Sequence, residues 1–526
     1  TNPNVVTIWG GPNFPIDFPS QKKFMERYKE VDIYVPTEGE IGFSNVVKKV
    51  LESNSIDEVK QKITQNPIDG CVSRNEQGQI QCTIPTLRIS SLDEIPSPYL
   101  NGMMTKFFDG KLTPFIETNR GCPFTCTFCH TGADYFHKLN KFSEDRVKEE
   151  IEYIGKKAGK LGITNLHLAD VNFGMYPQDS KTCEFLVKSK KQYGWPLQIN
   201  TTTGKNSKER IIDITKILGE MFVVTMSMQS MDEQVLTNIG RSNIKLEHMV
   251  KVNDHLRSDG RFTLCELIMP LPGETKETFI KGLNNVLNAN TTSVTIYTLM
   301  MLHGTEFKNP QYRAEFKYKG KFRIVPLNFG EYDDRRIMDY EEVGIETKDL
   351  SFEDYLYIRV LSLLVESLHN GKPFYEFFKF SKKFGIQPAS LLRILYDNIS
   401  DSSKNIQKLI NEFVNETKNE LWDTEENLIE HYKKDENYIK LKNGKMGGNL
   451  IWFGILVVVA VEISLITPPV GLNVHILKTI VKNTVSLKTI FKGVIPFVLI
   501  DIIRLILLLF IPFNLFGNLS ISNQIS

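Results

Sequence analysis

Short apolar runs alternate with amphipathic stretches through the middle of the chain. Each run is four to seven residues long, as in a buried strand, and the stretch after it repeats its apolar residues at helical spacing. One such stretch begins near Ser143 and places Val147, Ile151 and Ile154 on one face, as expected of a helix that covers a sheet. The predicted strands are 114–117, 165–169, 197–201, 222–226, 263–268 and 293–299. Six consecutive strand–helix units predict an α/β fold, a partial (β/α)6 parallel barrel with its chemistry at the carboxyl ends of the strands.

The segments on either side of the barrel have different patterns. Apolar runs at 4–9 and 31–35 end at glycine turns with a helix between them, which predicts half of a Rossmann-like α/β domain. The next segment is rich in Asn, Gly, Ser and Pro and predicts an irregular connector, whereas the region after the barrel predicts mostly helices. The predicted domains, in this order, are 1–60, 61–110, 111–310, 311–448 and 449–526.

The last of these segments has the composition of a membrane protein. Charged residues become rare, and two long apolar runs occupy 450–466 and 494–513. We expect two transmembrane helices, separated at 467–471, where two prolines cannot continue a helix. Three charged residues would lie within the spans, where charge is costly: Glu462, Asp501 and Arg504.

Charge and cysteine content narrow the functional class. Lys and Arg total 63 against 62 Asp and Glu, so no field of the whole chain attracts nucleic acid, and we expect no nucleic-acid partner. The chain has seven cysteines, three of them within eight positions, which favours metal ligation in a reducing compartment over disulfides. The first residues lack a basic leader, an apolar core and an initiator Met. We therefore expect a cytoplasmic enzyme core in a chain that begins inside a longer protein.

The densest chemistry lies in the segment ETNRGCPFTCTFCHTG, directly after the first predicted barrel strand. Its thiols belong to Cys122, Cys126 and Cys129, spaced C-x3-C-x2-C. Thiolates are the ligands of iron–sulfur clusters, and three ligands on four irons leave one iron open for a substrate or cofactor. A zinc site with His130 as fourth ligand is an alternative, and so is chance clustering. Phe128 would lie against a flat purine or simply pack in the loop.

This motif resembles that of the radical S-adenosylmethionine (SAM) superfamily, and the resemblance covers residues 110–310. Four later segments resemble strands of that family's partial barrel: LHLADVNFG, MSMQSMDEQVLTNIGR, CELIMPLPGET and YTLMMLHGTE. The resemblance implies a 4Fe-4S cluster on the three cysteines, SAM at the open iron, and an electron donor such as flavodoxin or ferredoxin. The reduced cluster would cleave SAM to methionine and a 5′-deoxyadenosyl radical, which takes hydrogen from an unidentified substrate.

The same resemblance suggests contacts to SAM. Asp170, Ser227 and Gln229 would meet its amino acid or ribose, and backbone near Ile268 would meet adenine. The alternative for each polar residue is a strand-end group satisfied by neighbouring backbone. Glu266 is a further candidate for binding the cofactor, and it stands out because it lies inside a predicted strand, where a buried carboxylate needs a partner. The sequence assigns no residue that reacts with substrate.

The first 60 residues carry a second resemblance. The segments VVTIWGGPNFP and VDIYVPTEGEIGF resemble the last two strands of the cobalamin-binding domain that precedes many radical SAM cores. The resemblance implies that five turn residues border the corrin or its nucleotide tail: Gly10, Gly11, Glu38, Gly39 and Glu40. An ordinary βαβ unit with glycine turns is the alternative. The strands that would carry a D-x-H-x-x-G loop are absent, so cobalamin and methyl transfer are expectations for a full-length parent.

The carboxyl-terminal segment resembles the end of the large membrane subunit of TRAP transporters, through WFGILVVVAVEISLITPPVGLNVHIL and SLKTIFKGVIPFVLIDIIRLILLLFIP. This implies attachment to the inner membrane, although a generic two-helix anchor has the same hydropathy. Two incomplete families meet near 447–449, so we expect a mis-joined reading frame, with a functional fusion as the alternative. The alternative function is accordingly a TRAP-type permease fragment.

Overall fold

The computed structural model describes residues 4–83, 88–204, 208–258, 261–333, 335–370, 374–442 and 486–510. Its backbone contacts divide the chain into two units, 1–425 and 426–526. The first unit contains the amino-terminal layer, the barrel and most of the helical region after it.

The amino-terminal residues form a small α/β layer. Its elements are β1 (Ile8–Gly10), α1 (Phe18–Arg27), β2 (Ile33–Val35), α2 (Gly39–Leu51), α3 (Ile56–Gln65), β3 (Val72–Arg74) and β4 (Ile80–Cys82). The parallel pairing of β1 with β2 across α1 is the half of a Rossmann-like domain that the sequence predicts. The expectation of an irregular connector from residue 61 is wrong at its start, because β3 and β4 pair as an antiparallel hairpin and extend the sheet. Strands of three residues are too short to show an alternating pattern.

All six predicted barrel strands are present. They are β5 (Phe115–Ile116), β8 (Asn165–Leu168), β9 (Gln198–Asn200), β10 (Val224–Gln229), β11 (Thr263–Met269) and β12 (Ser293–Thr298). Two further strands, β6 (Asn119–Arg120) and β7 (Asn140–Lys141), form a short antiparallel hairpin after β5. The barrel strands pair in parallel as β5-β8-β9 and β10-β11-β12, and a parallel bridge from Ile199 to Phe222 joins the two groups. The six strands therefore follow one another in chain order, as in a partial barrel.

Helices cover the outer face of the barrel. They are α4 (Glu144–Ala158), α5 (Asp179–Tyr193), α6 (Lys208–Leu218), α8 (Leu246–Ser258) and α9 (Lys276–Asn288). The short helix α7 (Glu233–Asn238) follows β10 and packs in a separate apolar cluster. The side chain of Ser143 accepts a hydrogen bond from the Arg146 amide and caps α4, and Val147, Ile151 and Ile154 are buried as predicted. Along each strand, residues buried against the helices alternate with residues that face the barrel interior.

The region after the barrel begins with a long hairpin that the sequence analysis did not predict. Its strands are β13 (Lys319–Tyr332) and β14 (Arg335–Glu346), which follow α10 (Pro310–Phe316). The hairpin corrects the expectation of a mostly helical start to 311–448. Its residues gave no strand signal because polar pairs such as Arg323 with Glu341 join the two strands, and such pairing across strands leaves no alternating pattern along the chain. The later part is helical as predicted: α11 (Phe352–Leu364), α12 (Tyr375–Lys383), α13 (Pro388–Asp397), α14 (Lys404–Asn419), α15 (Glu425–Lys433) and α16 (Asp435–Lys442).

The predicted membrane runs are only partly described. The run at 450–466 lies outside the described residues, and part of the run at 494–513 lies on α17 (Leu487–Phe510), which contains Pro496. Among the residues that the structure describes, no helix combines the length and apolarity needed to cross a membrane.

Candidate functional site

The three motif cysteines lie on one loop that follows β6, beyond the carboxyl end of β5. Cys122 and Cys126 are buried, Cys129 is half-buried, and none of them forms a disulfide. The Cys122 amide donates to the Phe136 carbonyl at 2.8 Å, and the Cys129 amide donates to the Cys126 carbonyl at 3.0 Å. At Thr127, the loop amide also donates to the Ile239 carbonyl at 3.0 Å. Backbone contacts therefore fix the spacing of the thiols.

Arg241 is a charged residue that interacts with all three motif thiols. Its guanidinium is buried and donates to the Ser227 carbonyl, to Asn243 Oδ1 at 2.8 Å, and to Cys126 Sγ at 3.8 Å. Burial lowers the pKa of Arg241, whereas the charges of all three motif cysteines raise it. Arg241 ends the segment MSMQSMDEQVLTNIGR, which resembles a strand of the family, but it was not among the predicted site residues.

Asn172 is a second site residue that the sequence analysis missed. It follows β8, is fully buried, and donates through Nδ2 to Cys122 Sγ at 3.2 Å. Its Oδ1 atom is buried and has no hydrogen-bond partner within the described residues. Buried polar atoms normally have partners, so this oxygen indicates a donor that binds at the site. Asn172 lies in the segment LHLADVNFG, and this position was the feature of the sequence that could have identified it.

The donor set fits an iron–sulfur cluster better than a single ion. Within the described parts of the chain, no group of three His, Cys, Asp or Glu side chains is placed to hold a single metal ion. The thiolates of a four-iron cluster bind different irons and lie farther apart. His130 has both ring nitrogens buried without a hydrogen-bond partner among the described residues, and burial lowers its pKa.

Asp170 is fully engaged by its neighbours. Its carboxylate accepts hydrogen bonds from the Thr118 amide at 2.8 Å, the Asn119 amide at 3.3 Å, the Asn119 side chain at 2.8 Å, and the Thr118 hydroxyl. Burial raises its pKa to about 7, and the hydrogen bonds from Thr118 and Asn119 act in the opposite direction. Asp170 thus joins the end of β8 to the strand that leads into the cysteine loop. Its contact with SAM stays a prediction.

Glu266 has the partners that the sequence could not name. Glu266 on β11 is the register partner of Ser227 on β10, and the Ser227 hydroxyl donates a hydrogen bond to the Glu266 carboxylate. Tyr297 on β12 forms a hydrogen bond with Glu266, and burial followed by the charge and hydrogen bond of Glu266 raises the pKa of Tyr297. These three side chains form a polar row on the interior face of the barrel. The structure therefore brings together Ser227 and Glu266, two of the predicted SAM residues.

Gln229 lies at an irregular point of β10. The register with β11 shifts between Ser227 and Gln229, and Gln229 has a φ of 64°, a strained value for this residue type. Its side chain is buried, and Oε1 has no hydrogen-bond partner in the described structure. Phe128 and Ile268 pack against one apolar cluster beside this strand end. The geometry thus places an unsatisfied amide oxygen and the predicted adenine contacts at the same end of the barrel.

A buried carboxyl group also links the ends of β10 and β11. Glu274 accepts a hydrogen bond from the Ser230 hydroxyl at 2.7 Å, and burial raises its pKa to about 8 from an ordinary 4.5. Because folding favours the protonated form, its contribution to stability is complete below pH 4.5 and is lost as the pH rises to 8.

We expect the unfolding free energy to fall between pH 5 and pH 8 and Glu274→Gln to reduce this slope by up to about 1.4 kcal/mol per pH unit. Denaturant unfolding at pH 5, 6.5 and 8 measures the slope. Glu277→Gln, which changes an exposed carboxylate three residues away, should leave it intact. Equal slopes for the wild type and Glu274→Gln would contradict the assignment.

The turns predicted to border cobalamin lie side by side. Gly10 pairs with Val35 at the carboxyl ends of β1 and β2, so the Gly10–Gly11 turn and residues 38–40 share one edge of the sheet. The predicted turn at 38–40 is instead the start of α2, with Glu38 as its N-cap. At Gly11 the φ is 115°, and an added Cβ would meet no atom within 4 Å. The space at this edge is therefore compatible with a ligand, and a contact of Gly39 or its neighbours with cobalamin stays a prediction.

The two carboxylates of this edge have protein partners. Glu38 pairs with Arg88 at 2.7 Å, and Glu40 pairs with Arg120 at 2.9 Å. The second carboxylate oxygen of Glu40 is buried without a hydrogen-bond partner in the described residues. Arg120 lies two residues before Cys122, and Arg88 donates a hydrogen bond to the Lys138 carbonyl, in the segment after the cysteines. These contacts therefore join the amino-terminal layer to the candidate site.

Comparisons with known proteins identify two families. The model of the radical SAM superfamily matches residues 116–285, and that of the tripartite ATP-independent periplasmic transporter, DctM component, matches residues 443–513. The chain is 30% identical over 392 residues to the cobalamin-dependent radical SAM methyltransferase TokK of Streptomyces tokunonensis, which covers 70% of this chain and 53% of TokK.

The chain is also similar to a second curated enzyme and to a solved structure. The chain is 27% identical over 429 residues to the 2-(S-pantetheinyl)-carbapenam-3-carboxylate methyltransferase of Streptantibioticus cattleyicolor, covering 75% of this chain and 59% of that enzyme. A structure of the cobalamin-dependent SAM radical enzyme OxsB with aqua-cobalamin bound is 15% identical, covers 83% of this chain and 65% of OxsB, and has a TM-score of 0.49. The chain thus spans little more than half the length of the two curated relatives. It carries a radical SAM domain with cobalamin-dependent methyltransferases among its homologues, followed by a carboxyl-terminal segment that matches the DctM component of TRAP transporters.

Proposed function

We propose that this chain is the radical SAM core of a cobalamin-dependent methyltransferase, with a 4Fe-4S cluster on Cys122, Cys126 and Cys129. The observation that carries the proposal is the burial of the Arg241 guanidinium among three thiols on one loop, within a domain that matches the radical SAM family. When bound, the reduced cluster supplies the electron that splits SAM into methionine and a 5′-deoxyadenosyl radical.

The protein's own residues position and neutralise the bound groups. The positive charge of Arg241 offsets the negative charge that three thiolates bring into a buried site. Asn172 Oδ1 and Gln229 Oε1 offer acceptors for the donors of SAM, since both oxygens are buried without a partner in the described structure. The row of Ser227 and Glu266 offers hydrogen-bonding groups for the ribose hydroxyls. Phe128 and Ile268 supply an apolar surface for adenine.

The test of this function uses anaerobically reconstituted full-length protein. We expect about four irons per chain, and 5′-deoxyadenosine and methionine when SAM and a strong reductant such as dithionite are added. Flavodoxin or ferredoxin should replace dithionite, since both deliver single electrons. A protein that carries one zinc and yields no 5′-deoxyadenosine would overturn the proposal. Methyl transfer needs a separate assay with hydroxocobalamin, in which a corrin spectrum that copurifies with the protein supports the cobalamin-dependent branch.

We further propose that the enzyme core is cytoplasmic, and that the chain is attached to the inner membrane if its carboxyl-terminal segment belongs to the same reading frame. The match of 443–513 to a transporter component and the two apolar runs in the sequence support the second part. A mis-joined reading frame near 447–449 explains the same match without any membrane attachment. Long reads of the source DNA across these codons separate a single frame from a joining error.

A further inference from the structure

We propose that Glu38 and Glu40 are positioning residues that lock the cysteine loop onto the amino-terminal α/β layer, so that the seating of this layer tunes the bound cluster. The inference rests on the proposed function, because it concerns the same thiol site. It assigns these carboxylates a role that needs no cobalamin, although the sequence resemblance places them beside the corrin.

The first connection runs from Glu38 to Cys122 through Arg88. Glu38 Oε1 accepts hydrogen bonds from Arg88 Nε at 3.0 Å and Nη2 at 2.7 Å. The Arg88 guanidinium also donates to the Lys138 carbonyl at 2.6 Å and lies 5.8 Å from the centre of the Phe136 ring. Because the Phe136 carbonyl accepts the Cys122 amide hydrogen bond, Arg88 holds the segment that holds the first cluster ligand.

The second connection runs from Glu40 to Cys122 through Arg120 and involves fewer residues. Glu40 Oε1 accepts a hydrogen bond from Arg120 Nη1 at 2.9 Å, and the same guanidinium donates to Glu117 at 2.8 Å. Burial by itself lowers the pKa of Arg120, but the two carboxylates raise it above its ordinary value. Arg120 precedes Cys122 by two residues. A Cβ at the intervening Gly121 would lie 2.4 Å from the Lys138 carbonyl oxygen, so the backbone at Gly121 packs closely against the segment that Arg88 contacts.

Burial distinguishes the pair of Glu38 and Arg88 from the ordinary ion pairs of the layer. The side chains of Arg88 and Glu38 are 11% and 6% exposed, whereas those of the pair Lys22 and Glu26 on α1 are 55% and 56% exposed. Solvent screens the exposed pair, which contributes little. Removing one partner of a buried pair leaves an uncompensated charge in a low dielectric, where its effect extends to neighbouring groups. The loss of Glu38 therefore acts on the nearby thiol site.

Isosteric variants test the proposal on full-length protein reconstituted without cobalamin. Glu38→Gln and Glu40→Gln each remove one negative charge and leave a half-buried arginine less compensated, Arg88 with 11% and Arg120 with 20% of its side chain exposed. We expect the midpoint potential of the cluster to shift to more positive values, because the excess positive charge stabilises the reduced state, and the EPR signal of the reduced cluster to change with it. Glu26→Gln removes a carboxylate from the same layer and should leave both readouts unchanged.

A charge exchange checks that the pair itself is responsible. Glu38→Arg combined with Arg88→Glu restores an ion pair with the two charges exchanged. This double variant should return the potential and the EPR signal towards wild-type values. Unchanged potentials and spectra in both glutamine variants would overturn the inference, and so would a shift as large in Glu26→Gln. Wild-type protein that binds no cluster would instead refute the proposed function. Since cobalamin is absent throughout, a shift cannot arise from a lost corrin contact.

Discussion

Replacing Cys126 with alanine is expected to abolish both iron–sulfur absorbance and reductive cleavage of SAM. Cys126 is buried at the centre of the motif, and its sulfur is the one that Arg241 contacts. With two thiols left, two irons lack a protein ligand, and the cluster does not persist. Ultraviolet–visible spectra, iron analysis and 5′-deoxyadenosine yield measure the loss, which we expect to exceed roughly 100-fold in turnover, equivalent to about 2.7 kcal/mol or more of barrier.

Stability should change much less than activity in this variant. Losing one buried sulfur costs about 1 kcal/mol, within the range of ordinary substitutions, so the protein should remain folded. Cys82→Ala is the matched control, because Cys82 is a half-buried thiol on β4, outside the candidate site. A Cys126→Ala protein with a full complement of iron and normal cleavage would remove the three-cysteine assignment, whereas equal losses in both variants would indicate a folding effect.

The barrel was predictable because strand-length segments such as Thr263–Met269, with apolar residues at alternate positions, are separated by amphipathic stretches at helical spacing. The same reasoning missed the β13–β14 hairpin, whose stabilising contacts join residues on different strands, such as Arg323 and Glu341. A pattern along the chain does not record which residues will pair across a turn. Local periodicity thus predicts elements buried by helices better than elements held by ion pairs.

The candidate site shows the same limit. The spacing of the cysteines is local and was sufficient to predict their loop, but the partners of that loop are distant in sequence. Arg241 lies 115 residues after Cys126, and Glu40 lies 80 residues before Arg120. Nothing in a single sequence distinguishes a buried arginine from the solvated ones. Asn172 and Arg241 could be found only as polar residues inside segments already recognised by resemblance.

Replacing Arg241 with methionine is expected to be the most damaging change outside the cysteines. The guanidinium provides a hydrogen bond to Cys126 Sγ and another to the Ser227 carbonyl, and methionine keeps only the apolar stem. A hydrogen bond to a charged group contributes about 1.5–3 kcal/mol. If that amount is lost from the reacting state, SAM cleavage falls roughly 10- to 100-fold. The measurement is the initial rate of 5′-deoxyadenosine formation per cluster.

The reduction potential separates the charge of Arg241 from its packing. Without a buried positive charge beside the thiols, the reduced and more negative state is less favourable, so Arg241→Met should shift the midpoint potential to more negative values. Arg241→Lys keeps the charge but loses the planar fork, and it should hold the potential near the wild-type value while cleavage still falls. Arg323→Met removes another buried arginine, one paired with Glu341 on the hairpin, and should destabilise the fold without moving the potential. A wild-type potential in Arg241→Met, or an equal shift in Arg323→Met, would show that Arg241 does not act on the thiol site through its charge.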